Sequence, residues 1–360
     1  MLLEPKYNEA LFAIGNEYKN WTVSPITSGL INSSFIVSNL NGTAHFFLQK
    51  INKAIFKDPV AVEENHLLIY SYLSKQNPTF SIAKPRSFSN GNYIFIDSNG
   101  EYWRFFDFIM ESRSFMQIEK SSQAFEMATV FALFSSSLQL NPSLLKTTIP
   151  DFHNLELRYH QFESAISNGL SDRINAASEL IKSLQQRKNI VDFYLHIKAH
   201  EQEFPLRVQH HDAKISNILF NKNTNAVIGP VDLDTVMPGY FFSDLGDMIR
   251  TTATSIEEGS NQYDAIHIRA DYYNALIDGY SSIVKETWTT QEWNHKHCAG
   301  IIMTYMQCLR FLTDHLQGDT YYKIDRPQHN LERALNQYFL LRKLEDFILQ
   351  QFHYQIPDSK

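Results

Sequence analysis

Residues 207–250 read RVQHHDAKISNILFNKNTNAVIGPVDLDTVMPGYFFSDLGDMIR, and this stretch differs in character from the sequence on both sides of it. It is polar and rich in β-forming residues, whereas long helical patterns precede and follow it. The apolar runs NILF and AVIGPVDL flank Asn221–Asn225 and predict a hairpin of two buried strands. In such a hairpin Asn217 and Asp232 lie near the same end.

The same stretch contains the types of side chain that phosphoryl transfer requires. That reaction needs a carboxylate to orient the attacking hydroxyl, oxygen ligands for a metal on the nucleotide phosphates, and a cation for the developing charge. Asp212, Lys214, Asn217 and Asp232 are of these types, and the turn and strand between them provide enough chain to bring them together. The alternative for Asp212 is a helix-cap or turn aspartate.

The first hundred residues predict a small antiparallel sheet with one main helix. WTVSPIT, SSFIVSNL and HFFLQKI are β-rich, and Asn41-Gly42 predicts a two-residue type I′ turn between the last two. Asp58-Pro59 begins a helical pattern, and Asn99-Gly100 separates two further aromatic strands. The predicted order is three strands, one helix and two strands.

After Met110 helical patterns dominate, and we predict helices at roughly 118–140, 153–168, 171–200, 262–286, 289–316 and 330–352. Strands followed by helices indicate an α+β architecture. Residues 1–108 are therefore expected to form a small sheet lobe and residues 111–360 a larger helical lobe, with a hinge at 106–110. The cleft between such lobes is the expected ligand site.

Composition and charge exclude several other classes of protein. With 43% hydrophobic and 20% charged residues the chain is globular rather than disordered. A net charge of −7 gives no support for binding nucleic acid or an anionic membrane. Cys298 and Cys308 lie in one predicted helix, about 15 Å apart, and cannot pair. Together with an N-terminus unlike a signal peptide, this favours a cytoplasmic protein. The oligomeric state is left open between monomer and homodimer.

Two segments then resemble a known family. HHDAKISNILF followed by VIGPVDLDTVMPGYFFSDLGD resembles the catalytic loop and metal segment of the aminoglycoside phosphotransferase and choline kinase superfamily, small-molecule relatives of protein kinases. Within it, DLDTVMPG, SDLGDMIRT, LQKIN and RFLTDHLQGDTYY are most similar to N-acetylhexosamine 1-kinases. The resemblance implies a bilobal protein-kinase-like fold. It also implies an enzyme that uses ATP and Mg²⁺ to phosphorylate the anomeric hydroxyl of N-acetylglucosamine or N-acetylgalactosamine.

The resemblance assigns roles in a catalytic loop at 208–221 and a metal segment at 226–234. Asp212 would be the catalytic base, Lys214 would reach the transferred phosphoryl group, and Asn217 and Asp232 would bind Mg²⁺. Asp234 stays open between a further metal ligand, support for the ligands, and a cap of the MPGY turn. Asp244 would tie the following helix to the backbone of the catalytic loop. His210 is expected to be structural, and the role of His211 is open.

On the nucleotide side, the resemblance points to the turn at Ser28–Ser34, to one lysine on a strand and to the hinge. The backbone of the hinge would hydrogen-bond adenine, and Phe and Ile side chains would lie on both sides of it. This turn contains a single glycine, so side chains are expected to share the phosphate contacts. Lys50 would contact the α- and β-phosphates and be held by Glu64, unless the two form only a solvated surface pair. The residues expected to contact the nucleotide are Asn32, Ser33, Lys50, Glu64, Phe106 and Phe108.

For the acceptor, the resemblance points to Asp247, Arg250, Arg310 and Tyr321. Arginine, aspartate and tyrosine suit the hydroxyls and the apolar face of a pyranose. Kinases of the same superfamily that act on choline, homoserine or aminoglycosides are the alternatives. A pseudokinase that binds a ligand without chemistry is the non-enzymatic alternative.

Overall fold

The computed structural model describes residues 7–26, 31–76 and 80–357. The chain divides into two compact units. The first contains Met1–Phe115, Ser137–Pro150 and Ser216–Pro238, and the second contains Met116–Ser136, Asp151–Ile215 and Gly239–Lys360. The division therefore assigns the segment 226–234 to the same unit as the sheet, whereas the sequence placed it with the helices.

The first unit is built on an antiparallel sheet with the spatial order β1-β2-β3-β6-β4, to which β5 adds by pairing with β6. Its strands are β1 (Thr22–Ile26), β2 (Ser33–Ser38), β3 (Ala44–Ile51), β4 (Pro85–Arg86), β5 (Phe95–Ile96) and β6 (Tyr102–Asp107). The three strands, helix and two strands predicted from sequence are all present. The short strand β4 and the helix α1 (Asn8–Ile14) were not predicted.

Alternation along β3 and β6 gives this sheet two different faces. Leu48 and its register partner Phe105 lie on one face, in an apolar cluster with Ala10 and Leu11 of α1. Ile51 lies on the other face and packs with Val62 of α2 (Pro59–Gln76). Helix α2 begins as predicted, because the Asp58 carboxylate accepts the backbone N–H groups of Val60 and Ala61.

Both predicted hairpins form, but neither has the two-residue type I′ turn. That turn needs positive φ at both central residues, whereas among the residues of each turn only the glycine, Gly42 or Gly100, has positive φ. In the first hairpin the Asn39 carboxamide accepts the backbone N–H groups of Asn41 and Thr43, which stabilises a longer loop. An asparagine side chain thus competes successfully with the tight turn.

A second small sheet in the first unit carries the predicted metal segment. Its antiparallel order is β10-β9-β7, with β7 at Ser112–Arg113, β9 at Ile218–Asn221 and β10 at Val227–Pro230. Pairing of β9 with β7 explains why the β9–β10 hairpin belongs to the unit that contains residues 112–113. The buried hairpin predicted from NILF and AVIGPVDL is therefore confirmed.

The second unit is mainly helical, as the α+β prediction requires. Its helices are α3 (Ser121–Ser137, whose last residue belongs to the first unit), α4 (Leu155–Asn168), α5 (Ser171–Ala176), α6 (Ser178–Gln185), α7 (Lys188–Ala199), α8 (Phe242–Thr252), α9 (Ala270–Val284), α10 (Thr290–Asn294), α11 (Cys298–Leu316) and α12 (His329–Phe352). There are two further short strands, β8 (Arg207–Gln209) and β11 (Met237–Gly239), and only the last residue of β11 belongs to the second unit. The single helices predicted at 171–200 and 289–316 are each broken.

Helix α11 is the centre of the second unit. Its described residues are all buried except Gln307 and Arg310. It packs so closely against α8 that a Cβ at Gly246 of α8 would collide with the carbonyl oxygen of Ala299. Cys298 and Cys308 are both buried and free, as their spacing predicted. Among the described helices none combines the length and the apolar character that crossing a bilayer requires.

Candidate active site

Asn217 and Asp232 lie at the same end of the β9–β10 hairpin. The strand register pairs Ile218 with Pro230, and the backbone N–H of Val231 donates to the Asn217 carbonyl at 2.9 Å. Asp232 has a left-handed backbone with φ of 61°, at which the chain turns away from the strand. An amide oxygen and a carboxylate are the hard oxygen ligands that Mg²⁺ prefers, so this pair fits the predicted metal. Within the described part of the chain, no three His, Cys, Asp or Glu side chains group as a metal site.

Both carboxylate oxygens of Asp234 accept hydrogen bonds from other side chains of the first unit. One of its carboxylate oxygens accepts from the Arg104 guanidinium and the other from the Asn32 side chain, the latter at 2.6 Å. Asp234 is only 3% exposed. Both oxygens thus accept bonds within the first unit, which is the arrangement expected of a residue that supports the metal segment. The alternative, a further metal ligand, stays a prediction.

Arg104 is a buried cation of the first unit. Its Nε donates to Oε1 of Gln49 at 2.9 Å, and its Nη1 lies 3.4 Å from Oε2 of Glu63. Burial raises the pKa of Glu63 to about 7, although the Arg104 charge acts in the opposite direction. Oε1 of Glu63 is buried and has no hydrogen-bond partner among the described residues. Glu63, rather than Glu64, is therefore the helix carboxylate that faces the sheet.

The predicted ion pair between Lys50 and Glu64 is wrong. Lys50 is the register partner of Trp103, on the face of the sheet that packs against α1. Glu64, on α2, pairs with Lys146, and both side chains of that pair are about half exposed. The prediction failed because successive residues of a strand point to opposite faces. Gln49, the residue before Lys50, occupies the face that the lysine was expected to occupy.

The other nucleotide residues differ in how well the structure supports their predicted contacts. Ser28, Gly29 and Leu30 lie outside the described residues. Ser33 is exposed and is the register partner of Lys50, whereas Ser34 is buried and accepts from the Gln49 side chain at 3.1 Å. Ser34, rather than Ser33, therefore lies on the face of the sheet that carries Arg104.

The hinge also differs from the prediction in one respect. The backbone N–H of Phe108 donates to the carbonyl of His45 at 2.9 Å, which extends the ladder between β3 and β6. This donor is therefore already engaged. The Phe106 ring stacks on Phe47 with centroids 5.0 Å apart, on the same face of the sheet as Gln49 and Arg104. Its contact with adenine stays a prediction.

In the second unit, Asp244 fixes the backbone of the predicted catalytic loop. Its carboxylate accepts the backbone N–H groups of His210 at 2.8 Å and His211 at 2.7 Å. Burial raises its pKa to about 7, although these two bonds favour the charged form. The structural tie expected for Asp244 is present, and it holds the two residues that precede Asp212.

His211 shapes the loop through its backbone and its ring. Its φ is 64°, in the left-handed region that non-glycine residues seldom adopt. The ring packs so closely on Gly239 that a Cβ there would collide with it. Its Nδ1 lies 3.2 Å from the carbonyl oxygen of Gln209. His211 therefore packs against the MPGY turn and leaves Asp212 at the end of the loop.

A cavity in the second unit brings together several predicted residues. Its lining consists of Phe152, His153, His211, Asp212, Asp247, Arg250, Met303, Met306, Gln307 and Arg310. Asp212 also forms an ion pair with Lys214 at 2.7 Å, and both side chains are partly exposed. Gln307 and Arg310, the two residues of α11 that are not buried, both line this cavity.

The charges in the cavity differ in whether they are neutralised. Arg250 donates two bonds to Oδ1 of Asp247, at 3.1 and 2.9 Å, and one to Glu258 at 2.6 Å. Burial raises the pKa of Asp247, against the influence of Arg250. Arg310 donates to Gln307 at 3.1 Å and has no carboxylate partner among the described residues. Its positive charge is therefore available to a ligand.

His153 adds a neutral polar group to the same cavity. Its ring stacks on Phe152 with centroids 4.8 Å apart and lies 4.9 Å from the His211 ring. Burial, followed by the neighbouring His211 and arginines, lowers its pKa well below the usual value, so the imidazole is uncharged at neutral pH. Its Nδ1 is buried with no hydrogen-bond partner among the described residues.

The acceptor-side prediction for Tyr321 needs correction. The Asp314 carboxylate does not pair with Arg310 but accepts the backbone N–H groups of Thr320, Tyr321 and Tyr322 at 2.7–2.9 Å. Tyr321 is 67% exposed and does not line the cavity. The tyrosine beside Arg310 is Tyr322, whose ring centroid is 5.5 Å from the guanidinium.

Some of the residues around the metal segment and around the cavity of the second unit were not identified from the sequence. They are Gln49, Glu63, Arg104, Phe152, His153, Gln307 and Tyr322. Strand alternation could have identified Arg104, since it lies two residues before Phe106 on the same face. No sequence signal pointed to Phe152 and His153, which lie far along the chain from the catalytic loop.

Comparisons with known proteins agree with this architecture. A family model described as APH, phosphotransferase enzyme family, matches residues 22–281. A microcompartment-associated aminopropanol kinase is similar with a TM-score of 0.65 at 12% identity, over 95% of this chain and 97% of that one. The amicoumacin kinase hAmiN, solved with AMP-PNP, Ca²⁺ and Ami, gives 0.56 at 12% identity over 96% and 94%. Choline kinase from Cryptosporidium parvum gives 0.52 at 18% identity over 94% and 92%. These likenesses confirm the kinase-like fold.

Proposed function

The chain belongs to the phosphotransferase enzyme family, and on that premise we propose that it is an ATP- and Mg²⁺-dependent small-molecule kinase. We propose further that its acceptor is the anomeric hydroxyl of an N-acetylhexosamine and its product the sugar 1-phosphate. The observation that carries the proposal is the cavity in which Asp212 lies with a neutral histidine and with an arginine that has no carboxylate partner among the described residues. A cytoplasmic location remains a prediction, as does a monomeric or homodimeric state.

Asp212 is the proposed base. It lines the cavity at the end of a loop whose backbone Asp244 fixes. In the proposed reaction its carboxylate accepts the proton of the acceptor hydroxyl as that oxygen forms a bond to the γ-phosphorus of ATP. The bond from this phosphorus to the β,γ-bridging oxygen breaks, and ADP leaves. Because an anomeric hydroxyl is more acidic than an ordinary alcohol, a well-placed carboxylate suffices as base.

Lys214, Asn217 and Asp232 supply the remaining groups of the proposal. Asn217 and Asp232 would hold Mg²⁺, which when bound neutralises charge on the nucleotide phosphates. Lys214 is held beside Asp212 by their ion pair and would donate to the transferred phosphoryl group.

The charges in the cavity support a neutral, hydroxyl-rich acceptor. Asp247 is neutralised by Arg250, whereas Arg310 has no carboxylate partner among the described residues. Guanidinium groups donate well to hydroxyl, carbonyl and acetamido oxygens. The buried Nδ1 of His153 adds an unsatisfied polar atom. A cationic acceptor such as choline would instead require an acidic or aromatic cage, and Arg310 would repel it.

A coupled assay of ADP release tests this proposal. The acceptors are N-acetylglucosamine, N-acetylgalactosamine, glucose and galactose, against choline, ethanolamine, homoserine and an aminoglycoside. We expect turnover of N-acetylated hexosamines, with the phosphate at C1 by ³¹P NMR, and none with amines. Turnover of amines alone would overturn the sugar assignment. Nucleotide binding that is independent of magnesium, without product for any acceptor, would indicate a pseudokinase.

A further inference from the structure

We propose that Arg104, and not Lys50, is the cation by which the sheet of the first unit positions the metal segment for the nucleotide. The inference rests on the proposed kinase function and adds a positioning residue to it. It starts from a difference between adjacent strands. The expected cation lies on β3, whereas the cation that meets the metal segment lies on β6.

The register of β3 and β6 separates the two cations onto opposite faces. Gln49 pairs with Arg104 on one face, and Lys50 pairs with Trp103 on the other. Trp103 is 1% exposed and donates its Nε1 to Asp97 at 2.8 Å. Lys50 is therefore on the face opposite to the residues that contact Asp234.

Arg104 joins three elements of the first unit. Its guanidinium contacts Gln49 on β3, Glu63 on α2 and Asp234 in the metal segment. Arg104 is 2% exposed, so these contacts are made away from water and are strong. A planar group with five fixed donors can bridge three acceptors in this way, whereas a lysine ammonium cannot match the geometry.

The connection to the metal ligand is short. Asp234 is two residues after Asp232, whose backbone is held at φ of 61°. Arg104 holds one carboxylate oxygen of Asp234 and Asn32 holds the other. Fixing Asp234 on both sides restrains the backbone at Asp232, and so the direction in which its carboxylate is presented. Arg104 thus acts through Asp234 and touches neither metal nor substrate in this role.

The test compares Arg104→Met and Arg104→Lys with the matched control Lys50→Met, by calorimetric titration of AMP-PNP without acceptor. Each variant is titrated with excess Mg²⁺ and again with EDTA. In Arg104→Met we expect the magnesium-dependent gain in affinity to fall at least about tenfold. Its affinity in EDTA should stay within about twofold of the wild type. The magnesium-dependent gain of Arg104→Lys should lie between those of Arg104→Met and the wild type, and the gain of Lys50→Met should equal that of the wild type.

A second variant covers the case in which Arg104→Met fails to fold. Asp234→Asn keeps the size of the side chain but can accept only one of the two donors, so it should lose the same magnesium dependence. An unchanged magnesium effect in Arg104→Met or Asp234→Asn overturns the proposal, as does loss of the effect in Lys50→Met. If the wild type phosphorylates an acceptor, such a result rejects only the role of Arg104. If the wild type binds no nucleotide at all, the kinase proposal fails, and this one with it.

Discussion

Oδ1 of Asp244 accepts the backbone N–H of His211 at 2.7 Å, and Oδ2 accepts that of His210, so one buried carboxylate joins helix α8 to the loop that carries Asp212. Replacing Asp244 with alanine leaves two buried N–H groups without this acceptor. We expect the free energy of unfolding to fall by at least about 2 kcal/mol, measured by urea denaturation. Asp278→Ala, which removes an exposed carboxylate from α9, should change it by less than about 0.5 kcal/mol. Equal stability of the two variants would contradict this role.

Two adjacent tyrosines should differ in their effect on the acceptor. The Tyr322 ring lies beside Arg310 and packs on Phe311 with centroids 4.8 Å apart, whereas Tyr321 is 67% exposed. Tyr322→Ala should raise the acceptor KM several-fold because Arg310 loses its support. Tyr321→Ala should leave it within about twofold. A larger rise in the acceptor KM for Tyr321→Ala than for Tyr322→Ala would contradict this prediction and support the sequence-based assignment of Tyr321.

Arg310 should govern acceptor binding and not nucleotide binding. Removing its charge with Arg310→Met should raise the acceptor KM at least about tenfold, since charge-assisted hydrogen bonds are lost. The KM for MgATP should be unchanged. Arg342→Met, at an exposed position on α12, is the matched control and should behave as the wild type. A rise in the KM for MgATP alone would show that Arg310 acts on nucleotide binding and would contradict this prediction.

Glu63 should give the stability a measurable pH dependence. Its pKa is raised from 4.5 to about 7 by burial, so the folded protein binds this proton more tightly than the unfolded chain. The stability it contributes is complete below about pH 4.5 and is lost as pH rises through about 7.

Glu63→Gln removes this titration. The unfolding free energy of the variant minus that of the wild type should therefore increase with pH, by up to about 1.4 kcal/mol per unit. Urea denaturation at half-unit steps from about pH 4.5 to 7 measures the difference. A flat difference would show that the carboxyl is not perturbed.

Much of the fold follows from local patterns. Asp58 caps the start of α2 and Pro59 is its first residue, a local signal that the sequence shows directly. The apolar runs on either side of Asn221–Asn225 pair as the strands β9 and β10. The sequence therefore predicted α2, the β9–β10 hairpin and the common end of Asn217 and Asp232. It missed the breaks in 171–200 because helical periodicity continues across them.

The site was harder to predict because it depends on which face a side chain occupies. A shift of one residue in β3 decides whether Lys50 or Gln49 lies on the face that carries Arg104, and periodicity alone does not fix that register. One carboxylate oxygen of Asp234 accepts from Arg104, which lies 130 residues away in the sequence, and the other accepts from Asn32. Phe152 and His153 reach the cavity only through tertiary packing.

The central claim is that Asp212 is the base of a phosphotransfer reaction. Asp212→Asn keeps the size of the side chain and removes the group that accepts the proton. Steady-state turnover with MgATP and an N-acetylhexosamine, measured beside the Kd for AMP-PNP, tests the claim directly. We predict that turnover is abolished while the Kd stays within about tenfold of the wild type. Full turnover in the Asp212→Asn variant would contradict the account.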